Sequence, residues 1–253
     1  MSKRPFFVGY LGMPRALAMF LAVVVGVLLG TGAVVATVIV EGQRDWGDGG
    51  FQWGEGQQTR TGIVMADPYP ILFLPPDADH PFGRTIPLSG VGKTGVQKIA
   101  REMQGKPVDV SGVVLRRDDF EMIQVSGNEG LVAAADPAPV AGWTGPDIET
   151  LGRVTLKGEL LDSKCFHGAM RPGQGKTHKL CANLCLIGGV PLTFLIRRAD
   201  GSVESLLMAD PAGMEITGAL LDYVSQAIEL TGELERRGDL LVFKVDPGTV
   251  RRL

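Results

Sequence analysis

Cysteine, histidine and aromatic residues are scarce in this chain: 3 Cys, 3 His and 6% Phe, Trp and Tyr among 253 residues. So few cysteines exclude a disulfide-dense small scaffold. Charge of one sign is also lacking, since 25 basic side chains face 28 acidic ones for a net of −3. Nucleic acid is not an expected partner, because phosphate neutralisation needs a basic surface. A hydrophobic content of 45% excludes a disordered chain, and the 35 glycines follow no collagen period. No Gly-x-Ser-x-Gly elbow, His-Glu-x2-His pair or Cys-x2-Cys-His haem motif occurs. Val91-Gly92-Lys93-Thr94 and Gly173-Gln-Gly175-Lys176-Thr177 look like phosphate loops. Both lack the required first glycine, having Pro87 and Met170 there. The carboxylates Asp118, Asp119 and Glu121 read as a solvated turn rather than an acid–base pair. An accessory protein is therefore favoured over an enzyme.

One long uncharged run is present. From Ala16 to Val40 no side chain is charged, and at 1.5 Å per residue such a run exceeds the ~30 Å hydrocarbon core. The sequence predicts a transmembrane helix over 16–40. It reads as uncleaved, because apolar residues continue through Val34–Val40 where a signal peptide would give way to a polar start. Lys3, Arg4 and Arg15 precede the run, while Glu41, Asp45 and Asp48 follow it. The positive-inside rule puts residues 1–15 in the cytoplasm and the bulk in the periplasm of a bacterial inner membrane. Gly26 and Gly30 have a spacing that permits close helix contact, although glycine is common in such helices. Residues 41–58 read as a linker, with Trp46 and Trp53 suited to the headgroup region. Residues 1–41 carry +2 (three basic less one acidic), so the remainder carries −5 (−3 less +2).

The rest of the chain is β-patterned and repeats itself. Val108–Asp119 resembles Ile228–Asp239, each reading as strand, Arg-Arg turn and second strand. Upstream glycines, Gly62 and Gly158, sit inside an earlier strand of each copy and suggest sharp bends. A short helical pattern precedes each hairpin: Val96, Ile99, Ala100 and Met103 in the first copy, Met214, Leu220, Leu221 and Val224 in the second. The second helix is expected to open at Asp210-Pro211. The expected fold is mainly β: tandem small OB-like Greek-key barrels, each with one helix. The first module is placed at 59–127, a linker at 128–150 and the second module at 151–253. The second carries an insertion at 162–189. His80 reads as a loop residue.

All three cysteines and two histidines fall in that insertion, as Cys165-x-His167 followed by His178-x2-Cys181-x3-Cys185. Helical spacing puts His178, Cys181 and Cys185 on one face. Cys165, His178, Cys181 and Cys185 form a Cys3His set suited to zinc, or to copper(I), with His167 the weakest ligand candidate. An iron–sulfur centre is a lesser alternative, because the second half reverses the Rieske Cys-x2-His order. Two further readings stay open: a disulfide from Cys165 to Cys181 or Cys185, and thiol redox or cofactor chemistry helped by Lys164, Arg171, Lys176 and Lys179.

The string Asp-Ser-Lys-Cys165, then Pro-Gly-x-Gly-Lys-x-His178-x2-Cys181-Ala-x2-Cys185 and Gly-Gly-x-Pro191, resembles a family of bacterial proteins of no established activity. The resemblance implies a real site and does not name its chemistry. By architecture the chain is also similar to the haem chaperone of cytochrome c maturation, which implies one anchor and one periplasmic OB barrel. That family's C-terminal His-containing motif is missing from Thr249–Leu253, so haem remains a minor alternative. The expected function is a membrane-anchored periplasmic accessory protein that binds a metal or cluster, in respiration or cofactor assembly and with a membrane complex as partner. The alternative is a scaffold subunit with a disulfide-stapled loop.

Overall fold

The computed structural model describes residues 12–44 and 49–253, in two compact units, Met1–Gly47 and Asp48–Leu253. The readings placed on Lys3, Arg4, Asp45, Trp46 and Asp48 lie outside the described residues.

The first unit contains helix α1 (Arg15–Arg44). Within it, Arg15–Glu41 is a stretch of 27 residues long and apolar enough to cross a membrane, about 40 Å at 1.5 Å per residue. The polar Thr37 hydroxyl is satisfied locally by donating to the Val34 carbonyl at 2.8 Å.

The second unit is mainly β. Its first half runs β1 (Gly50–Phe51), β2 (Gln58–Met65), β3 (Ile71–Leu74), β4 (Arg84–Ser89), α2 (Gln97–Glu102), β5 (Pro107–Arg117), β6 (Phe120–Val125) and β7 (Leu131–Ala133). Antiparallel pairs β2–β3, β3–β4, β5–β6 and β2–β5, with the parallel pair β4–β6, close a five-strand barrel. Alternating apolar residues fill it, among them Val64, Leu72, Leu88, Val110, Val114 and Ile123. Strands β1 and β7 add to β5 from outside this ring.

The second half runs β8 (Ile148–Asp162), α3 (Lys179–Ile187), β9 (Leu192–Arg197), β10 (Val203–Ala209), α4 (Thr217–Leu220), β11 (Ala227–Arg237), β12 (Leu240–Val245) and β13 (Arg251–Arg252). Strands β8–β9–β10 form an antiparallel run, β11 pairs with both β8 and β12, and β10 pairs in parallel with β12. This sheet shares its core with the first half. Tyr69, Ile71 and Phe73 pack with Phe194, Leu220 and Phe243, and the Tyr69 hydroxyl lies 2.8 Å from Thr217 Oγ1. Burial raises the Tyr69 pKa, so the phenol stays protonated as a hydrogen-bonding group.

Local chemistry sets the shared features of the two halves. A Cβ on Gly62 would lie 2.4 Å from the Phe73 carbonyl, and one on Gly158 would lie 2.2 Å from that of Leu195. Each strand therefore crosses its neighbour at a place where only glycine fits. The hairpin turns begin left-handed, at Asp118 (φ 49°) and Gly238 (φ 65°), positions that favour Asp, Asn or Gly.

One expectation is corrected. The residues after Asp210 do not start a helix: Asp210 Oδ1 accepts from the Ala212 and Met214 amides at 2.9 and 2.8 Å, and Gly213 turns left-handed at φ 85°. The Asp side chain competes with helix formation, and α4 begins only at Thr217. Within residues 128–150, β7 pairs with β5 and β8 begins at Ile148.

Candidate metal centre

The insertion starts where β8 ends. Asp162, fully buried, accepts from the Cys165 amide at 2.8 Å through Oδ1. This bond starts a wide turn, Cys165–Ala169, which ends in left-handed Gly168 (φ 109°). Asp162 Oδ2 lies 3.1 Å from His178 Nε2. One carboxylate thus orders both a cysteine backbone and a histidine ring.

Helix α3 follows, preceded by a short turn over Lys176–His178. His178, just before α3, and Cys181 and Cys185 within it bring their ligand atoms close to that of Cys165. The ligand atoms of Cys165, His178 and Cys181 lie within 4.8 Å of one another, and so do those of Asp162, Cys165 and Cys185. Cys165 belongs to both groups. The contact between His178 Nε2 and Asp162 Oδ2 fixes the orientation of the ring. Sulfur, imidazole and carboxylate donors meeting in one buried place can hold a metal ion.

All three cysteines are free, so the disulfide staple considered from sequence is absent. The Cys165 and Cys185 sulfurs lie within 4.8 Å of each other, and their interaction raises the Cys165 pKa and lowers that of Cys185. Burial adds to the rise at Cys165.

His167 lies outside both groups. Its Nδ1 donates to the Ser163 carbonyl at 2.5 Å, and its ring meets Phe166 edge-on with centroids 5.2 Å apart. Burial lowers its pKa to about 4, which keeps the ring neutral. His80, as expected of a loop residue, is partly exposed and bonds Asp77 at 2.9 Å.

The cation that faces the thiols was not legible from the insertion. Lys93, in the loop after β4, places Nζ 2.8 Å from Cys181 Sγ and 3.5 Å from Cys185 Sγ. Its bond to Cys181 raises the Lys93 pKa, so the ammonium is retained. Lys164 is buried and donates to the Gly90 and Gly92 carbonyls at 2.7 Å each, which ties down the loop carrying Lys93. Desolvation lowers the Lys164 pKa. Arg171 and Lys179 are engaged elsewhere, donating to the Gly49 and Asp222 carbonyls.

Glycines allow this docking. A Cβ on Gly188 would lie 1.8 Å from the Lys93 carbonyl, and the Gly95 amide donates to the Gly188 carbonyl at 2.7 Å. Leu115 and Met122 of the first barrel complete an apolar wall around Cys165 and Cys185. Sequence reasoning also missed Asp162 as a site residue. Its available signal was position: an acid three residues before a cysteine, at a strand end.

Comparison of the chain with protein-family models, curated proteins and solved structures finds no match.

Proposed function

We propose that the protein is a membrane-anchored accessory factor that holds one thiophilic metal ion, zinc or copper(I). Cys165, Cys181 and His178 are its primary ligands, with Cys185 as the third thiolate. The observation that carries this reading is the approach of a sulfur from the turn after β8 to the sulfur and nitrogen donors of α3, within 4.8 Å. Asp162 orients the histidine from behind, and Lys93 offsets thiolate charge.

Residues Arg15–Glu41 serve as the anchor in this reading. The bulk lies in the periplasm of a bacterial inner membrane, on the charge asymmetry around that stretch. The β unit is read as two OB-like barrels. Each half has a three-strand meander, a helix, then a hairpin whose second strand runs parallel to the third, and this order supports the assignment. Gly62 faces Val108 as Gly158 faces Ile228, in support of duplication. Respiratory or cofactor-assembly complexes are the proposed partners.

The test is metal analysis of the full chain, purified in detergent without chelator. About one zinc or copper per chain, lost in His178→Ala, is the expected result. Metal-free protein with all three thiols titratable overturns the reading.

A further inference from the structure

Helix α3 is apolar on both faces. Ala182, Cys185 and Leu186 are buried, yet Leu180 is 76% exposed, Leu184 49% and Ile187 67%. These three recur at i, i+4 and i+7 and so form one outward stripe. Large apolar residues exposed singly need no explanation, but a continuous stripe on one helix marks a contact surface.

The surroundings of the stripe select its occupant. Between Ser163 and Pro191 the chain has Lys164, Arg171, Lys176 and Lys179 and no acidic residue, within a chain of net charge −3. Lys164 is buried, while Arg171 and Lys176 are exposed and Lys179 half-buried. An apolar stripe in a segment whose charged side chains are all cations is complementary to a surface of anionic lipid. Connectivity points the same way. The chain enters the β unit at Gly49, whose carbonyl accepts from Arg171 and whose backbone is so close to Gly168 that a Cβ there would lie 2.1 Å away. The insertion therefore lies on the side where the chain enters the β unit.

We propose that the Leu180–Leu184–Ile187 face of α3 seats in the headgroup–acyl boundary of an anionic membrane. The proposal rests on α1 being a membrane anchor. The ligand-bearing face of the same helix is then turned away from lipid, toward Cys165 and the first barrel.

Full-length protein carrying Leu184→Trp, Leu180→Trp or Ala199→Trp is reconstituted into phosphatidylcholine–phosphatidylglycerol vesicles with or without brominated acyl chains. Ala199 is exposed in the loop at the far end of β9 and serves as the control. Relative to wild type, the added emission of Leu184→Trp and Leu180→Trp falls roughly twofold in brominated vesicles, as shallow burial in the interface requires, while Ala199→Trp is unchanged. No quenching, or equal quenching at Ala199→Trp, overturns the proposal. Blue-shifted but unquenched emission at Leu184→Trp also overturns it and assigns the stripe to a protein partner. Failure of the unmodified chain to float with vesicles overturns the anchor reading and this proposal with it.

Discussion

Lys93 Nζ lies 2.8 Å from Cys181 Sγ, so a loop of the first barrel supplies the cation for thiols of the second sheet. Charge-assisted hydrogen bonds contribute about 1.5–3 kcal/mol when sheltered, and the exposure of Lys93 favours the low end. Replacing the ammonium by an apolar isostere, Lys93→Met, is predicted to weaken metal binding about tenfold. Competition against a chromophoric chelator measures this, with the thermal transition as a fold control. An unchanged Kd would mean that the ammonium does not compensate the thiolates.

Asp162 is predicted to act through the groups it orients. It is fully buried and holds both the Cys165 amide and the His178 ring. Asp162→Asn keeps the shape but removes the negative charge, and it can leave one of the two donors unpaired. Loss of such an orienting carboxylate costs 10- to 100-fold in metal affinity by order of magnitude, and an unpaired buried donor costs about 1–3 kcal/mol of stability. Zinc titration and urea unfolding of the metal-free chain read the two effects separately. Wild-type affinity in Asp162→Asn would assign the carboxylate a purely structural role.

How much of this was legible in sequence follows the range of the interactions. The α1 stretch declares itself by an uncharged run from Ala16 to Val40, which no distant residue has to complete. The hairpins at 107–125 and 227–245 are legible because alternation and a turn are local, and their registers pair Arg117 with Phe120 and Arg237 with Leu240. The α3 face is legible for the same reason, through the spacing of His178, Cys181 and Cys185. Lys93 was hidden because its role depends on a loop docking across 88 residues of chain onto Cys181. No periodicity encodes that contact. The Asp210-Pro211 helix start failed because cap and turn use the same residue types, and the Asp210 side chain settled on the turn.

The two histidines of the insertion are predicted to separate cleanly. His178 has its ring nitrogen among the thiols, whereas His167 is packed between Phe166 and the Ser163 carbonyl. His178→Ala is expected to abolish stoichiometric metal. His167→Ala is expected to retain metal and lose about 1–3 kcal/mol of stability through a buried void and an unpaired carbonyl. Metal content and chemical denaturation of both variants decide the matter. Metal loss in His167→Ala at full stability would bring that ring into the ligand set.

If the two halves of the β unit are copies, equivalent backbone crossings must fail in the same way. Gly62 and Gly158 provide the pair, each with a neighbouring carbonyl 2.4 and 2.2 Å from where a Cβ would stand. Backbone cannot swing aside as a flexible side chain does, so each alanine must push two paired strands apart. Overpacking of this kind costs about 1–3 kcal/mol. Gly62→Ala and Gly158→Ala are therefore predicted to destabilise the protein by similar amounts, read from the urea midpoint at unchanged slope. Because Tyr69, Ile71 and Phe73 are shared with the second core, both variants are also expected to unfold in a single transition. A large loss in one and none in the other would argue against the shared strand geometry on which the duplication rests.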